Sequence, residues 1–284
     1  MNFRLILFQL MSMLILSYSL SPTLEAQIVD SVQQVDIIAD DNYPPFSYRE
    51  GEDAKGLYVE ILLAVFKNMP DYQVNIRPLP WRRGLTMMQS GSGFAIFPPY
   101  YFPNKRPFLS AYSKPVLNEK ISLFCSNKFI AKYKAKQPVW PQDFAGARIG
   151  INPGYLLLDD DFWELNRKHF YRVEEGIDTK ANIQKLIYQR LDCLINSRVA
   201  ILWGQKELKE SGETFSEGLS DKLQEVAVLK EQQGYLAFSE DIQQRYPFRA
   251  VFIKQFNQEL STLIQSGELD RIVHNFEARL HLTP

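Results

Sequence analysis

The 284-residue sequence predicts an α/β protein in two halves, each built on a mainly parallel sheet. Three observations predict it. Strand-like and helix-like segments alternate twice along the chain, the pattern of βαβ units. The composition is that of an ordinary globular protein, 45% hydrophobic and 23% charged. The length supplies two medium lobes rather than one small domain.

In the first half, 35–39 reads as a buried strand that runs into a loop stiffened by Pro44 and Pro45. Leu57, Ile61, Leu62, Val65 and Phe66 fall at helical spacing after Gly56, and Pro70 ends that helix. A strand is expected over 72–78. Pro80 opens a short helix over 81–90, and a strand over 94–97 is stopped by Pro98 and Pro99. A further strand covers 121–125. The second half starts near Asn127 with a polar, Lys-rich stretch over 128–142. Its strands are expected at 148–151, 171–173, 192–195, 224–229 and 234–238. Its helices are expected at 156–168, 179–190, 248–265 and 269–280. Ligands of open α/β sheets sit at the carboxyl ends of strands, and pockets favour the join between lobes.

Lys+Arg 32 against Asp+Glu 33 leaves a formal net charge of -1, with no basic surplus for nucleic acid. His169, His274 and His281 are scattered without metal-ligand spacing, and no phosphate loop or nucleophile elbow occurs. No metal, cofactor or catalytic residue is therefore expected. Residues 1–4 are a short basic start, 5–20 an apolar run, and 21–26 a polar stretch ending on Ala26. This reads as a secretory signal peptide cleaved after about Ala26. A membrane anchor is the other reading, but the run is short of the roughly 20 residues of a span. Cys125 and Cys193 are compatible either with a disulfide in an oxidising compartment or with two buried thiols.

Seven blocks occur in a definite order: Tyr43-Pro44-Pro45-Phe46-Ser47-Tyr48; Gly56-Leu57-Tyr58-Val59-Glu60-Ile61; Pro80-Trp81-Arg82-Arg83-Gly84-Leu85; Pro103-Asn104-Lys105-Arg106; Tyr112-Ser113-Lys114-Pro115-Val116; the run from Asp143 to Gly150; and Arg190-Leu191-Asp192-Cys193. In this order they resemble family 3 extracellular (periplasmic) solute-binding proteins, the amino-acid-binding class of ABC transporters, over about 35–280. The resemblance implies a two-lobed fold of the periplasmic binding protein type II kind, two mainly parallel sheets joined by a hinge. Residues 27–125 plus 232–284 would form lobe one and 126–231 lobe two, with hinge crossings near Ser126 and Gln232. It also implies a periplasmic monomer that closes on a small polar solute, an amino acid or related molecule, and hands it to an inner-membrane ABC permease or a signalling receptor. An enzyme on the same scaffold, of dehydratase type, and a sensor or partner-binding protein without a transport role are the alternatives.

The resemblance places the ligand-carboxylate arginine at Arg106, whose planar fork of donors matches a carboxylate. It places first-loop aromatics at Tyr43, Phe46 and Tyr48, and a cleft tryptophan at Trp81. Departures follow. Pro98-Pro99-Tyr100-Tyr101 stands where small hydroxyl residues usually precede the arginine, and Gly154-Tyr155 replaces Gly-Thr or Gly-Ser. The acidic partner of a ligand ammonium should fall near Asn196 or Ser197, and neither is charged. The expected ligand-binding set is Arg106, Tyr43, Phe46, Trp81, Tyr100, Tyr101, Tyr155 and Asn196, with Asp40 or Asp41 as the source of the missing charge. A pocket so rich in rings suits a cation, an aromatic or a sugar-like ring.

Overall fold

A computed structural model describes residues 32–133, 137–211, 223–241 and 243–280. The leader expected over 1–26, together with His281, lies outside the described residues. In chain order the elements are β1 (Gln33–Asp40), β2 (Asn42–Tyr43), β3 (Ser47–Glu50), β4 (Asp53–Lys55), α1 (Leu57–Phe66), β5 (Tyr72–Leu79), α2 (Trp81–Gln89), β6 (Ala95–Phe97), β7 (Leu109–Tyr112) and β8 (Leu117–Ser126). There follow α3 (Asn127–Ile130), β9 (Arg148–Ile151), α4 (Asp160–Arg167), β10 (Arg172–Glu175), α5 (Thr179–Ile187), β11 (Cys193–Ser197), α6 (Arg198–Glu210), β12 (Leu223–Gly234), β13 (Ala237–Ser239), α7 (Arg249–Gln265) and α8 (Glu268–Leu280).

Two five-stranded sheets carry the fold, ordered β5-β1-β6-β13-β7 and β10-β9-β11-β8-β12, beside a small β2-β3-β4 sheet. An inner strand of the first sheet is β1, between β5 and β6, whose Ile37, Ile38 and Ala39 are buried because helices cover both faces. On one face Tyr58, Ile61, Leu62 and Val65 of α1 pack with Phe252, Phe256 and Leu260 of α7. On the other, Trp81 and Met88 of α2 pack with Ile38 and Ile96. The turn into α1 needs Gly56: its φ is +115°, and a Cβ there would lie 2.4 Å from the Phe46 carbonyl oxygen. The second sheet is sandwiched likewise. Leu123, Ile149, Phe162 and Tyr171 fill one side, and Phe124, Ile183, Leu194 and Ile201 the other, under α5 and α6.

The structure departs from the sequence reading at several elements. The pairs of β1 with β5 and β6, and of β9 with β10 and β11, are parallel. Those of β13 with β6 and β7, and of β8 with β11 and β12, are antiparallel. Each sheet is thus evenly mixed, because β8 and β13 arrive directly from the other sheet, without the crossover helix that parallel neighbours require. β8 and β12 pair from Leu117↔Gly234 to Ser126↔Leu223, wholly within the second sheet. The chain therefore changes sheets at 113–116 and 235–236, not near Ser126. Backbone bonds from Ser113 N–H to Leu236 (2.8 Å) and from Val116 N–H to Gly234 (2.9 Å) tie the two passages together. The helix expected from residue 156 begins only at Asp160. The preceding loop is held away from helix geometry, with the Leu157 carbonyl accepting from Gln232 Nε2 at 2.9 Å and Asp159 pairing with Lys230. Residues 109–112 and 198–210, unassigned from sequence, form β7 and α6.

Two buried features fix the crossing strand β8. Cys125 and Cys193 lie directly opposite each other on β8 and β11 and form a disulfide. That settles the alternative left open above. At the other end of β8, the buried Glu119 carboxylate accepts from Tyr43 Oη at 2.6 Å and Tyr58 Oη at 2.7 Å. Burial pushes this carboxyl up, and the phenol donors of Tyr43 and Tyr58 pull it back down. Replacing both cysteines by alanine is expected to lower the unfolding free energy by about 2–4 kcal/mol in urea titration. Glu119→Ala strands two buried phenols and is expected to cost about 2–4 kcal/mol, with Glu119→Gln recovering at least half because it keeps an acceptor.

Candidate functional site

A cavity lies where the ends of both sheets meet. Asp40 closes β1, Tyr43 lies on β2 just beyond, and Trp81 opens α2. Pro98, Pro99 and Tyr100 follow β6, and Arg106 comes from the loop before β7. From the second sheet, Tyr155, Leu156 and Leu157 follow β9 and complete the wall. These are carboxyl ends of parallel strands, where side chains of several elements converge. Of the residues singled out from sequence, the structure brings together Tyr43, Trp81, Tyr100, Arg106 and Tyr155, with Asp40 rather than Asp41 as the acid.

Three others it does not bring there. Phe46 is buried in the core against Tyr43 and Tyr58, because its loop turns inward over α1. Tyr101 points outward, 56% exposed, with its ring against Tyr112 and Tyr235. Tyr100 is held inward by an isolated bridge to Gly234, and the chain bends at Tyr101 directly after it. Asn196 is fully buried, donating to Thr179 Oγ1 at 2.8 Å and accepting from Ser197 N–H at 2.8 Å, which satisfies it inside lobe two.

Arg106 is 5% exposed. One of its Nη atoms donates to the Gly154 carbonyl at 2.7 Å, and its guanidinium carbon lies 5.4 Å from the centre of the Trp81 ring. Burial brings its pKa down to about 10, against the opposing pull of the phenols of Tyr112 and Tyr155. Asp40 is 3% exposed. Oδ1 accepts from Asn42 N–H at 3.0 Å and Oδ2 from Tyr155 Oη at 2.6 Å. Burial raises its pKa to about 7, although both hydrogen bonds favour the carboxylate. Among the described residues neither ion meets a counter-ion. Arg106 faces a carbonyl and an indole; Asp40 faces a phenol and an amide.

The Tyr43 and Tyr155 phenols are committed to carboxylates, whereas the Trp81 indole N–H is buried without a partner among the described residues. Tyr43 gives its proton to Glu119, and its hydroxyl lies 3.1 Å from that of Tyr100. The Tyr155 ring meets Tyr43 edge-on at 5.4 Å and Trp81 at 6.2 Å. Sequence reading missed Glu119, which sets this arrangement. The signal was present: Glu119 alternates in register with buried Ile121 and Leu123 along β8. Beyond the cavity, Arg82 of α2 pairs with Glu175 of β10, and Lys105 with Asp160 at 2.5 Å. Both pairs are solvent-exposed and contribute at most about 1 kcal/mol each. No group of three or more His, Cys, Asp or Glu among the described residues is placed to hold a metal ion. No helix among them is long and apolar enough to cross a membrane.

Comparison with known proteins agrees with this architecture. No curated protein sequence matches the chain. Solved structures similar to it include a histidine kinase sensor domain resembling periplasmic binding proteins (14% identity, TM-score 0.68, covering 87% of this chain and 97% of that one). The amino-acid-binding protein AncCDT-1, an ancestral precursor of cyclohexadienyl dehydratase, matches at 12% identity and TM-score 0.63 over 86% of this chain and 95% of its own. A substrate-binding protein of an ABC uptake transporter from Streptococcus pneumoniae, with bound histidine, matches at 15% identity and TM-score 0.65 over 87% and 93%. At these identities the likeness concerns the fold, which is two-lobed in kind. The family model of bacterial extracellular solute-binding proteins, family 3, matches residues 35–277, and the chain belongs to that family.

Proposed function

We propose that this solute-binding protein takes a small zwitterion, an amino acid or a close relative, between its two sheets. The observation that carries the reading is that Asp40 and Arg106 are buried on one cavity with no counter-ion among the described residues. A solute with an ammonium and a carboxylate would supply both, and charge-assisted hydrogen bonds are about twice as strong as neutral ones. Arg106 takes the acid group, Asp40 the ammonium, and Tyr43, Trp81 and Tyr100 wall the remainder with ring faces. The passages at 113–116 and 235–236 are the hinge on this reading. An exported location, with a leader cleaved after about Ala26, and delivery to an ABC permease complete it. Sensing is the second reading, supported by the likeness to a histidine kinase sensor domain.

Protons report on the same site. Asp40 has a folded pKa of about 7 against an ordinary 3.8. Between these values the folded chain holds more protons than the unfolded one, so this group's contribution makes stability fall as pH rises. An ammonium beside it reverses the preference and releases the proton.

Thermal-shift titration of the chain from residue 27 with amino acids, peptides, polyamines and sugars tests the function. A solute present at 100 times its Kd is expected to add about 2.7 kcal/mol, a rise on the order of 5–10 °C. Arg106→Ala is expected to weaken that solute about 100-fold in calorimetry; a flat panel, or unchanged affinity in the variant, refutes the assignment. In urea titrations from pH 4 to 7, wild type is expected to lose up to about 1.4 kcal/mol per pH unit relative to Asp40→Asn, which lacks the titrating group. Parallel pH profiles would show that Asp40 is not the coupled acid.

A further inference from the structure

We infer that Tyr155 and the Gly154 carbonyl are an internal competitor for the solute site: the loop 152–157 closes the cleft upon itself, and a solute binds by displacing it. The inference rests on the zwitterion site proposed above. Its first support is space. The cavity between Asp40, Tyr43, Trp81, Tyr100, Arg106 and Tyr155 has a volume of about 20 Å³. Tyr155 and the Gly154 carbonyl already hold the two groups that border this narrow space, so a solute that pairs with both Asp40 and Arg106 must displace them.

The second support is that the loop takes both polar anchors at once. The Gly154 carbonyl accepts from Arg106, and the Tyr155 hydroxyl donates to Asp40. An acceptor for the guanidinium and a donor for the carboxylate are the two things a zwitterion offers, here supplied by adjacent residues of the second sheet's loop. The third support is how the loop is held. Gly154 has φ +74°, its N–H donates to Glu175 Oε1 at 3.0 Å, and Glu175 pairs with Arg82 across the cleft. Tyr155 also packs against three of the hydrophobic clusters, from both sheets.

The competitor is polar but uncharged. It satisfies hydrogen bonds and leaves both buried ions without neutralisation, so it holds the cleft shut while remaining weaker than a true counter-ion pair. A solute bearing both charges gains enough to evict it. A neutral or singly charged one must expel Tyr155 while leaving one ion unpaired. Tyr155 is on this account the residue that sets specificity, through the cost of its own removal. Apparent affinity is reduced by the fraction of molecules already closed on the loop.

Two measurements separate this inference from the solute assignment. The first uses no solute: small-angle X-ray scattering of the chain from residue 27, unfolded and refolded to strip co-purifying molecules. Wild type is expected to give the compact curve calculated from this structure, and Tyr155→Ala a larger radius of gyration. An expanded wild type, or a variant as compact as wild type, overturns the inference. Circular dichroism checks that Tyr155→Ala is folded; Tyr155→Phe, which keeps the ring and removes only the donor to Asp40, replaces it otherwise. The second titrates the proteinogenic L-amino acids individually into wild type and Tyr155→Phe by calorimetry. Loss of a competing hydrogen bond of about 1 kcal/mol is expected to tighten binding roughly fivefold. Weaker or equal binding in the variant counts against the competitor. Absence of binding to either protein refutes the zwitterion site, and the scattering result still decides whether the loop closes the cleft.

Discussion

Arg106 and Asp40 are withdrawn from water on one cavity, and the partners that hold them are neutral. Desolvating an ion costs several kcal/mol, and a carbonyl or phenol returns only part of that. The pKa values carry the imprint: the guanidinium binds its proton less tightly than usual, and the carboxylate holds on to one near neutrality. A chain tolerates such a centre only if the surrounding frame over-determines it. Here each ion is delivered by a different segment at the end of a sheet, so the core packing of both faces of β1 holds the arrangement.

The frame reaches the cavity through a second, hidden carboxylate. Glu119 belongs to the sheet of the second half, yet it is clasped by Tyr43 of β2 and Tyr58 of α1. It thereby consumes a phenol proton that would otherwise point at a bound molecule. The wall that remains is rich in aromatic rings, which attract cations and apolar surface. The same carboxylate pins the start of β8, where the chain passes between sheets. One residue thus joins the pocket wall to the passage between the sheets.

The parts of this legible in the sequence are those with local causes. Helical spacing in 57–66, the prolines at 80, 98 and 99, and the apolar run of β1 all foretell their elements because each depends on near neighbours. Arg106 was nameable through the family resemblance, as the last residue of the block Pro103-Asn104-Lys105-Arg106, and Asp40 only as one of two neighbouring acids, with Asp41. What was not legible depends on pairing at a distance. The polar tail of β12, 230–233, is a strand only because β8 lies beside it, and the disulfide exists only because the register sets Cys125 opposite Cys193. Phe46 and Tyr101 failed as pocket residues for a related reason: a ring in a loop carries no signal for which side it faces until the neighbouring layer is in place. Asn196 failed because its own lobe satisfies it.

The sequence contains two cysteines, and both are consumed in the buried bridge between β8 and β11. A thiol engineered on the surface would be the sole free thiol available to a maleimide dye. The chain is therefore ready for site-selective fluorophore attachment at the lip of the cleft without first removing native sulfur. A dye placed there would report any change in its surroundings when a solute is added.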